Sequence, residues 1–318
     1  MATGTSAPAS IADLHRWQDP PVWRMLSTGT HFAGRHSNTT WRGLAQVHGN
    51  HEPGLPMVVK WMQKKETLAA ELACALAGQA LRLQVPGGVL VLAEKDQLPG
   101  LPRKVTGAPK DWVLCFGSEY QFPDDTVVRP SNEGAVEEWI WQRLCDTKQG
   151  PAGGVWDELI ANNDRHCDNV VFDGARWWLI DHEDTLAPVA KVMKKFTEQL
   201  ARQSVLDYHP LENTLANEMA RRRPQDHGMH DLPAGLTRLR TRLGWLAEQS
   251  QNWRTQVPEV DTVLMMTHLY LRSIELRLPA LALHLNHRLA QPEGDSLWNS
   301  SSKHSPPRAL SATPPHPA

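Results

Sequence analysis

Apolar positions along the 318-residue chain follow two regimes. Up to about residue 120 they come in short runs broken by Gly, Pro and polar clusters: Met57-Val58-Val59-Lys60-Trp61, Val89–Ala93 and Trp112-Val113-Leu114-Cys115-Phe116 read as strands. Residues 27–50 read as two more strands around a turn at Gly34–Asn38, and Pro/Gly-rich residues 94–110 as a loop. One helix interrupts this part: over Glu66–Arg82, Leu68, Leu72 and Leu76 recur at helical spacing, with Ala75 and Gln79 on the adjoining stripe. Beyond Pro130 the period becomes helical. Val136, Trp139, Ile140 and Leu144 share a face of Glu133–Thr147, with Gly150-Pro151 as its stop, and Val155–Ala161 is a further short helix. Helical patterns then fill 190–206, 211–223, 235–252 and 259–289, the last kinked or split at Pro279. Arg221-Arg222-Arg223 closes one of them as a solvated, dipole-favoured C-terminus. Residues 14–26 form a short ordered lead-in, and residues 1–14 and the Pro/Ser/His-rich 291–318 read as disordered tails. Strands first and helices last predict an α+β protein.

Between the two regimes lies the stretch with the most chemistry, residues 158–184. Val170–Phe172 and Trp177–Ile180 are apolar runs joined by Asp173-Gly174-Ala175-Arg176, and Asp-Gly is a strong hairpin signal because Gly accepts the positive φ of such turns. The open end of that hairpin brings together Asp164 and Asn169 on one side and Asp181 on the other. Two carboxylates and an amide oxygen suit a hard divalent cation such as Mg²⁺. Lys60, in a mostly apolar strand, must pair or snorkel. Glu66 and Glu71 both lie on the following helix, and the pattern does not choose between them as its partner.

Composition narrows the function classes. Hydrophobic content of 41%, charged content of 21% and a net charge of −2 describe a globular protein with no electrostatic case for nucleic-acid binding. No apolar stretch reaches the roughly 18 residues that span a bilayer, and the N-terminus lacks a secretory signal; a cytoplasmic location follows as the expectation. Cys74, Cys115, Cys145 and Cys167 are widely spaced and read as reduced thiols. His166-Cys167-Asp168 and His182 lack the paired spacing of a zinc site, and no Gly-x-Ser-x-Gly points to a hydrolase.

The order Asp164-Arg165-His166-x-x-Asn169, a hairpin, then Ile180-Asp181-His182 resembles the catalytic and metal-binding segments of the protein-kinase-like superfamily, closest to HipA-type Ser/Thr kinases and phosphoinositide kinases. The resemblance covers roughly residues 27–185. It implies a two-lobed fold with a β-rich N-lobe over 15–117 and a helical C-lobe over 118–290. It implies ATP and Mg²⁺ as cofactors, with Asp164, Lys60 and Glu71 catalytic and Asn169 and Asp181 holding the metal. Glu71 is chosen over Glu66 because, as in HipA-type kinases, it precedes Leu83-Gln84-Val85-Pro86. Gly34, Arg35, Ser37 and Asn38 would form the phosphate loop with Lys60 beside them, and backbone around Phe116–Glu119 would face adenine. Arg165 and His166 would brace the catalytic loop. His182-Glu183 stands where ordinary kinases have Phe-Gly, a departure HipA-type and lipid kinases share.

The function so implied is a protein Ser/Thr kinase, of the toxin type in some relatives, with an antitoxin-like protein as partner. A phosphate loop near residue 34 leaves no room for the N-terminal subdomain of longer members, which bears on that partner. Ser37 reads as a solvated loop serine ahead of an autophosphorylation site. Two alternatives stand beside this: a lipid or small-molecule kinase with the same core, and an inactive pseudokinase acting as a binding module.

Overall fold

The computed structural model describes residues 18–32, 38–47, 53–123, 133–190, 195–205, 213–222 and 232–289. The two terminal tails and Gly34, Arg35 and Ser37 lie outside them. A β-rich N-terminal region precedes a helical C-terminal one. The strands are β1 (Val22–Met25), β2 (Thr30–His31), β3 (Thr39–Val47), β4 (Leu55–Trp61), β5 (Gly88–Glu94) and β6 (Trp112–Glu119).

These strands close on themselves. Their order is β1-β5-β6-β4-β3, with β2 beyond β3, and β1 also pairs with β3. Strand β1 lies parallel to β5 (Trp23 opposite Val91) and antiparallel to β3 (Trp23 opposite Val47). Closure removes the edges that would otherwise pair with other chains. Alternate residues point inward, so Trp23, Trp41, Met57, Val59, Val91 and Cys115 form a small barrel core of their own. Gly117 faces this interior, where a Cβ would stand 2.5 Å from Val91 Cγ2, so only glycine fits. The lead-in 14–26 thus contains a strand. Segment 94–110 carries a four-residue helix, Arg103–Thr106, and Leu98 and Leu101 from this stretch cover the barrel core.

The residues opposite those in each strand face outward. Thr40, Lys60, Phe116 and Leu90 lie in one row across β3, β4, β6 and β5. Phe116 and Leu90 belong to the second, larger core, which contains the helix Lys65–Ala80 (α1) and the helical region. Helix α1 ends in a Schellman motif, with Arg82 at φ +59° and Leu83 N donating to Gly78 O at 2.9 Å.

The helices that follow Arg103–Thr106 (α2) are α3 (Glu133–Cys145), α4 (Gln149–Leu159), α5 (Ala187–Ala190), α6 (Glu198–Gln203), α7 (Thr214–Arg222), α8 (Leu232–Gln251) and α9 (Pro258–Leu289). Gly150-Pro151 begins α4 and does not merely stop α3: proline is tolerated in a first turn, where its missing N–H has no helical partner anyway. Helix α9 runs unbroken through Pro279. Arg221 and Arg222 are not simply solvated. They bridge Glu218 of their own helix to Glu138 of α3, and those hydrogen bonds hold the Glu138 carboxyl below its ordinary range. Among the described residues no helix is long and apolar enough to cross a membrane.

Candidate functional site

The chain leaves α4 through a second Schellman motif. Ala161 takes φ +52°, and Asn162 N donates to Asp157 O at 2.8 Å. The C-terminal carbonyls of α4 are held from a distance: buried Arg277 of α9 donates Nε to Leu159 O at 2.7 Å and Nη2 to Glu158 O at 3.2 Å. The exit direction of residues 162–169 is therefore set by two helices together.

Arg165 ties these residues to the hairpin beyond them. Its side chain is fully buried and forks onto Asp157, with Nε to Oδ2 at 3.1 Å and Nη2 to Oδ1 at 3.0 Å. Asn162 Nδ2 adds a bond to the same carboxylate at 2.9 Å. Arg165 Nη1 donates to two carbonyls, Asn169 O at 2.8 Å and Ile180 O at 2.7 Å, and so clips the start of the hairpin to its end. That hairpin is β7 (Val170–Phe172) and β8 (Trp177–Leu179), with Gly174 at φ +92° in the turn. Its mouth is closed by Ile180 N donating to Asn169 O at 3.1 Å. Asp164, Asn169 and Asp181 therefore lie on one pair of loops, as the hairpin reading expected.

Each of the three has a distinct setting. The Asp164 side chain is 55% exposed and its backbone N–H is held by Asn162 Oδ1 at 3.0 Å. Asn169 is buried and donates Nδ2 to Asp164 O at 2.9 Å, which places its Oδ1 on the other branch of the amide. Asp181 sits at φ +58°, left-handed backbone that costs a non-glycine residue about 1 kcal/mol or more and recurs at functional sites. Its carboxylate meets Lys60 Nζ at 2.6 Å.

Lys60 has a second direct partner that its sequence position did not announce. Glu183 Oε2 lies 2.9 Å from Nζ and also accepts a hydrogen bond from Asn38 Nδ2, at the foot of β3. Glu71 takes a different post: its Oε2 accepts the backbone N–H of His182 at 2.7 Å, and it acts on Lys60 through space. Burial alone would lower the Lys60 pKa, but Glu71, Asp181 and Glu183 together outweigh it and hold the ammonium charged. Burial pushes Glu71 up, to about 8, against the pull of Lys60.

His182 completes the support. Its Nε2 lies 3.2 Å from Trp156 Nε1 and 3.1 Å from Arg165 Nη2. Both neighbours are obligate donors, so Nε2 accepts and Nδ1 carries the proton, 4.0 Å from Glu71 Oε1. Burial, then the charges of Arg165 and Lys60, drive the His182 pKa well below its ordinary value, so the ring is neutral.

Phe116 and Glu119 lie in the C-terminal half of β6. Residues 116–118 are flanked by β4 on one side and β5 on the other, so their backbone lies inside the barrel wall and is committed to its ladders. Glu119 N and Tyr120 N are engaged as well, by Gly87 O at 2.8 Å and Pro56 O at 3.0 Å. What this strand offers the Lys60 face is the Phe116 ring, not free backbone. Asn38 lies beside Glu183, whereas Gly34, Arg35 and Ser37 fall outside the described residues.

Among the described residues no group of three or more His, Cys, Asp or Glu side chains is disposed to hold a metal ion. Asn169 Oδ1 and the Asp181 carboxylate nevertheless fit Mg²⁺, which takes one or two carboxylates and fills its remaining positions with water and phosphate oxygens. The residues that sequence reasoning missed are Asp157, Glu183 and Arg277, each joined to the site by hydrogen bonds that the tertiary structure creates: Asp157 to Arg165, Glu183 to Lys60, and Arg277 to the carbonyls that end α4.

No family model matches the chain, and no curated protein matches it. Among solved structures it is similar to a Helicobacter pylori proinflammatory kinase, CtkA, at 12% identity and a TM-score of 0.40, over 81% of this chain and 98% of that one.

Proposed function

We propose that the chain is an ATP- and Mg²⁺-dependent phosphotransferase with a two-lobed, kinase-like arrangement, acting on the Ser or Thr hydroxyl of a protein in the manner of HipA-type kinases. The observation that carries the reading is the meeting of Lys60 with Asp181 at 2.6 Å, on a loop hydrogen-bonded to the backbone of Asn169 and hence to the loop of Asp164. A strand lysine, an acidic metal loop and an Asp-x-x-x-x-Asn loop converge from three separate parts of the chain.

Lys60 would hold the α/β-phosphates, and the Asn169 and Asp181 oxygens would hold Mg²⁺. A cation held there would supply positive charge to offset the charge that develops on the transferred phosphoryl group. Asp164 aligns the acceptor hydroxyl and takes its proton as the hydroxyl oxygen bonds to the γ-phosphorus. The bond from that phosphorus to the bridging oxygen breaks, and ADP leaves. Catalysis is positioning and electrostatics, with little covalent work for the protein. The 55% exposure of the Asp164 side chain leaves its approach open to a macromolecular acceptor. An antitoxin-like partner and a cytoplasmic setting go with the HipA-type reading.

The test is transfer of label from [γ-³²P]ATP with Mg²⁺, in the presence of cell extract, by wild type beside Asp164→Asn and Asp181→Asn. Labelled protein bands that weaken about 10²-fold or more in Asp164→Asn are expected. Label confined to lipids or small metabolites would replace the acceptor class. ATP binding without transfer would make the chain a binding module, and full activity in Asp181→Asn would overturn the metal assignment.

A further inference from the structure

We propose that Glu183 is the positioning residue that holds Lys60 for the reaction, the post that the sequence resemblance assigns to Glu71; this rests on the phosphotransferase reading above. An ammonium has three N–H donors. Two of those of Lys60 are directed at Asp181 (2.6 Å) and Glu183 (2.9 Å), and among the described residues the third meets no protein acceptor, which leaves it for a phosphate oxygen. The two carboxylates are not equivalent. The Asp181 side chain is 28% exposed and follows Ile180, whose N–H is held by Asn169 O at 3.1 Å, so on the phosphotransferase reading it is the one that turns to a cation. The Glu183 side chain is 9% exposed and is gripped by Asn38 at the foot of β3. Glu71 is occupied by the His182 backbone N–H at 2.7 Å. Once Asp181 is engaged elsewhere, Glu183 is the carboxylate left to fix the Lys60 head. It also ties Asn38, the residue before β3, to the loop that carries Asp181.

Glu183 also places a negative charge beside the cation that must receive a polyphosphate, so it opposes nucleotide binding while ordering Lys60 for turnover. Removing the charge should therefore tighten binding and slow the reaction. Mere structural damage would weaken both.

The experiment measures the dissociation constant of trinitrophenyl-ATP by fluorescence in EDTA, with kcat and KM for ATP measured separately in Mg²⁺. Wild type, Glu183→Gln, Glu183→Asp, Glu71→Gln and Lys60→Met are compared, and melting temperatures establish which variants fold. Glu183→Gln should bind the metal-free nucleotide about tenfold tighter, the effect of one nearby screened charge, while kcat falls about tenfold. Glu183→Asp keeps the charge but not the reach, so its metal-free affinity should match wild type while its kcat falls. Glu71→Gln should not tighten binding, and Lys60→Met should weaken it. Unchanged or weaker binding in Glu183→Gln, with wild type binding and turning over, overturns this inference alone. Tightening in Glu71→Gln and not in Glu183→Gln would return the post to Glu71. If wild type binds no nucleotide, the phosphotransferase reading falls and takes this inference with it.

Discussion

Replacing Arg165 by Met tests whether one buried guanidinium holds the two site loops together. The side chain is fully buried and its ion-pair partner Asp157 is equally buried. Met preserves the length of the stem and removes the charge. Asp157 then keeps Asn162 Nδ2 as a donor but loses both guanidinium bonds, at 3.1 and 3.0 Å. Stranding one member of a buried pair costs about 3–5 kcal/mol. The carbonyls of Asn169 and Ile180 also lose a charged donor; Asn169 O retains the Ile180 N–H, which limits that part to about 1 kcal/mol. Against a total stability of about 5–15 kcal/mol for a typical domain this is a large fraction. Asp157→Asn strands the opposite charge and should cost a similar amount, whereas Asp157→Asn/Arg165→Met strands neither. The double variant should therefore lose less than the sum of the singles by about 2 kcal/mol or more. Urea unfolding followed by tryptophan emission gives the three differences. A cost below about 1 kcal/mol for Arg165→Met, or strictly additive singles, would refute the idea that this pair organises the site.

Two further outcomes are expected. His182 is neutral in the folded protein because burial depresses its pKa, whereas the unfolded chain titrates near 6.5. As pH falls below that value the unfolded state gains the proton first. His182 should therefore cost wild type up to about 1.4 kcal/mol of stability per pH unit between pH 6.5 and 5, relative to His182→Gln. Glu71, raised to about 8, acts with the opposite sign in that window, which is why the difference between the two proteins is the quantity to measure; equal slopes would contradict the buried neutral ring. Separately, Cys74, Cys115 and Cys145 are buried and Cys167 is partly exposed. In native protein Cys167 alone should react with Ellman's reagent, and slowly near neutral pH, because burial and then Asp168 raise its thiol pKa. Fast reaction of a second thiol would mean that the α1 or barrel core opens.

The elements that announced themselves in the sequence are those whose signal is short-ranged. The Asp173-Gly174 turn and its flanking runs specify the 170–179 hairpin, and hairpin geometry then places Asp164, Asn169 and Asp181 at one mouth. Helical spacing located α1, α3 and α9, and a short apolar run located β4, in which the structure puts Lys60 on the face opposite Met57 and Val59. Long-range partnership has no such signature. Strand β1 is four residues long, and only pairing with both β3 and β5 makes it a strand and closes the barrel. That closure places 116–118 between β4 and β5 and pairs both edges of that stretch. Pro151 reads equally well as a stop or as a first turn, and the packing of α4 against α7 decides for the turn. Lys60 could have been paired from sequence with any neighbouring acid. Tertiary structure brought Asp181 and Glu183 within hydrogen-bond distance and gave Glu71 to a backbone N–H, because a buried charge is satisfied by whichever donors and acceptors the fold delivers, however far apart they lie in the chain.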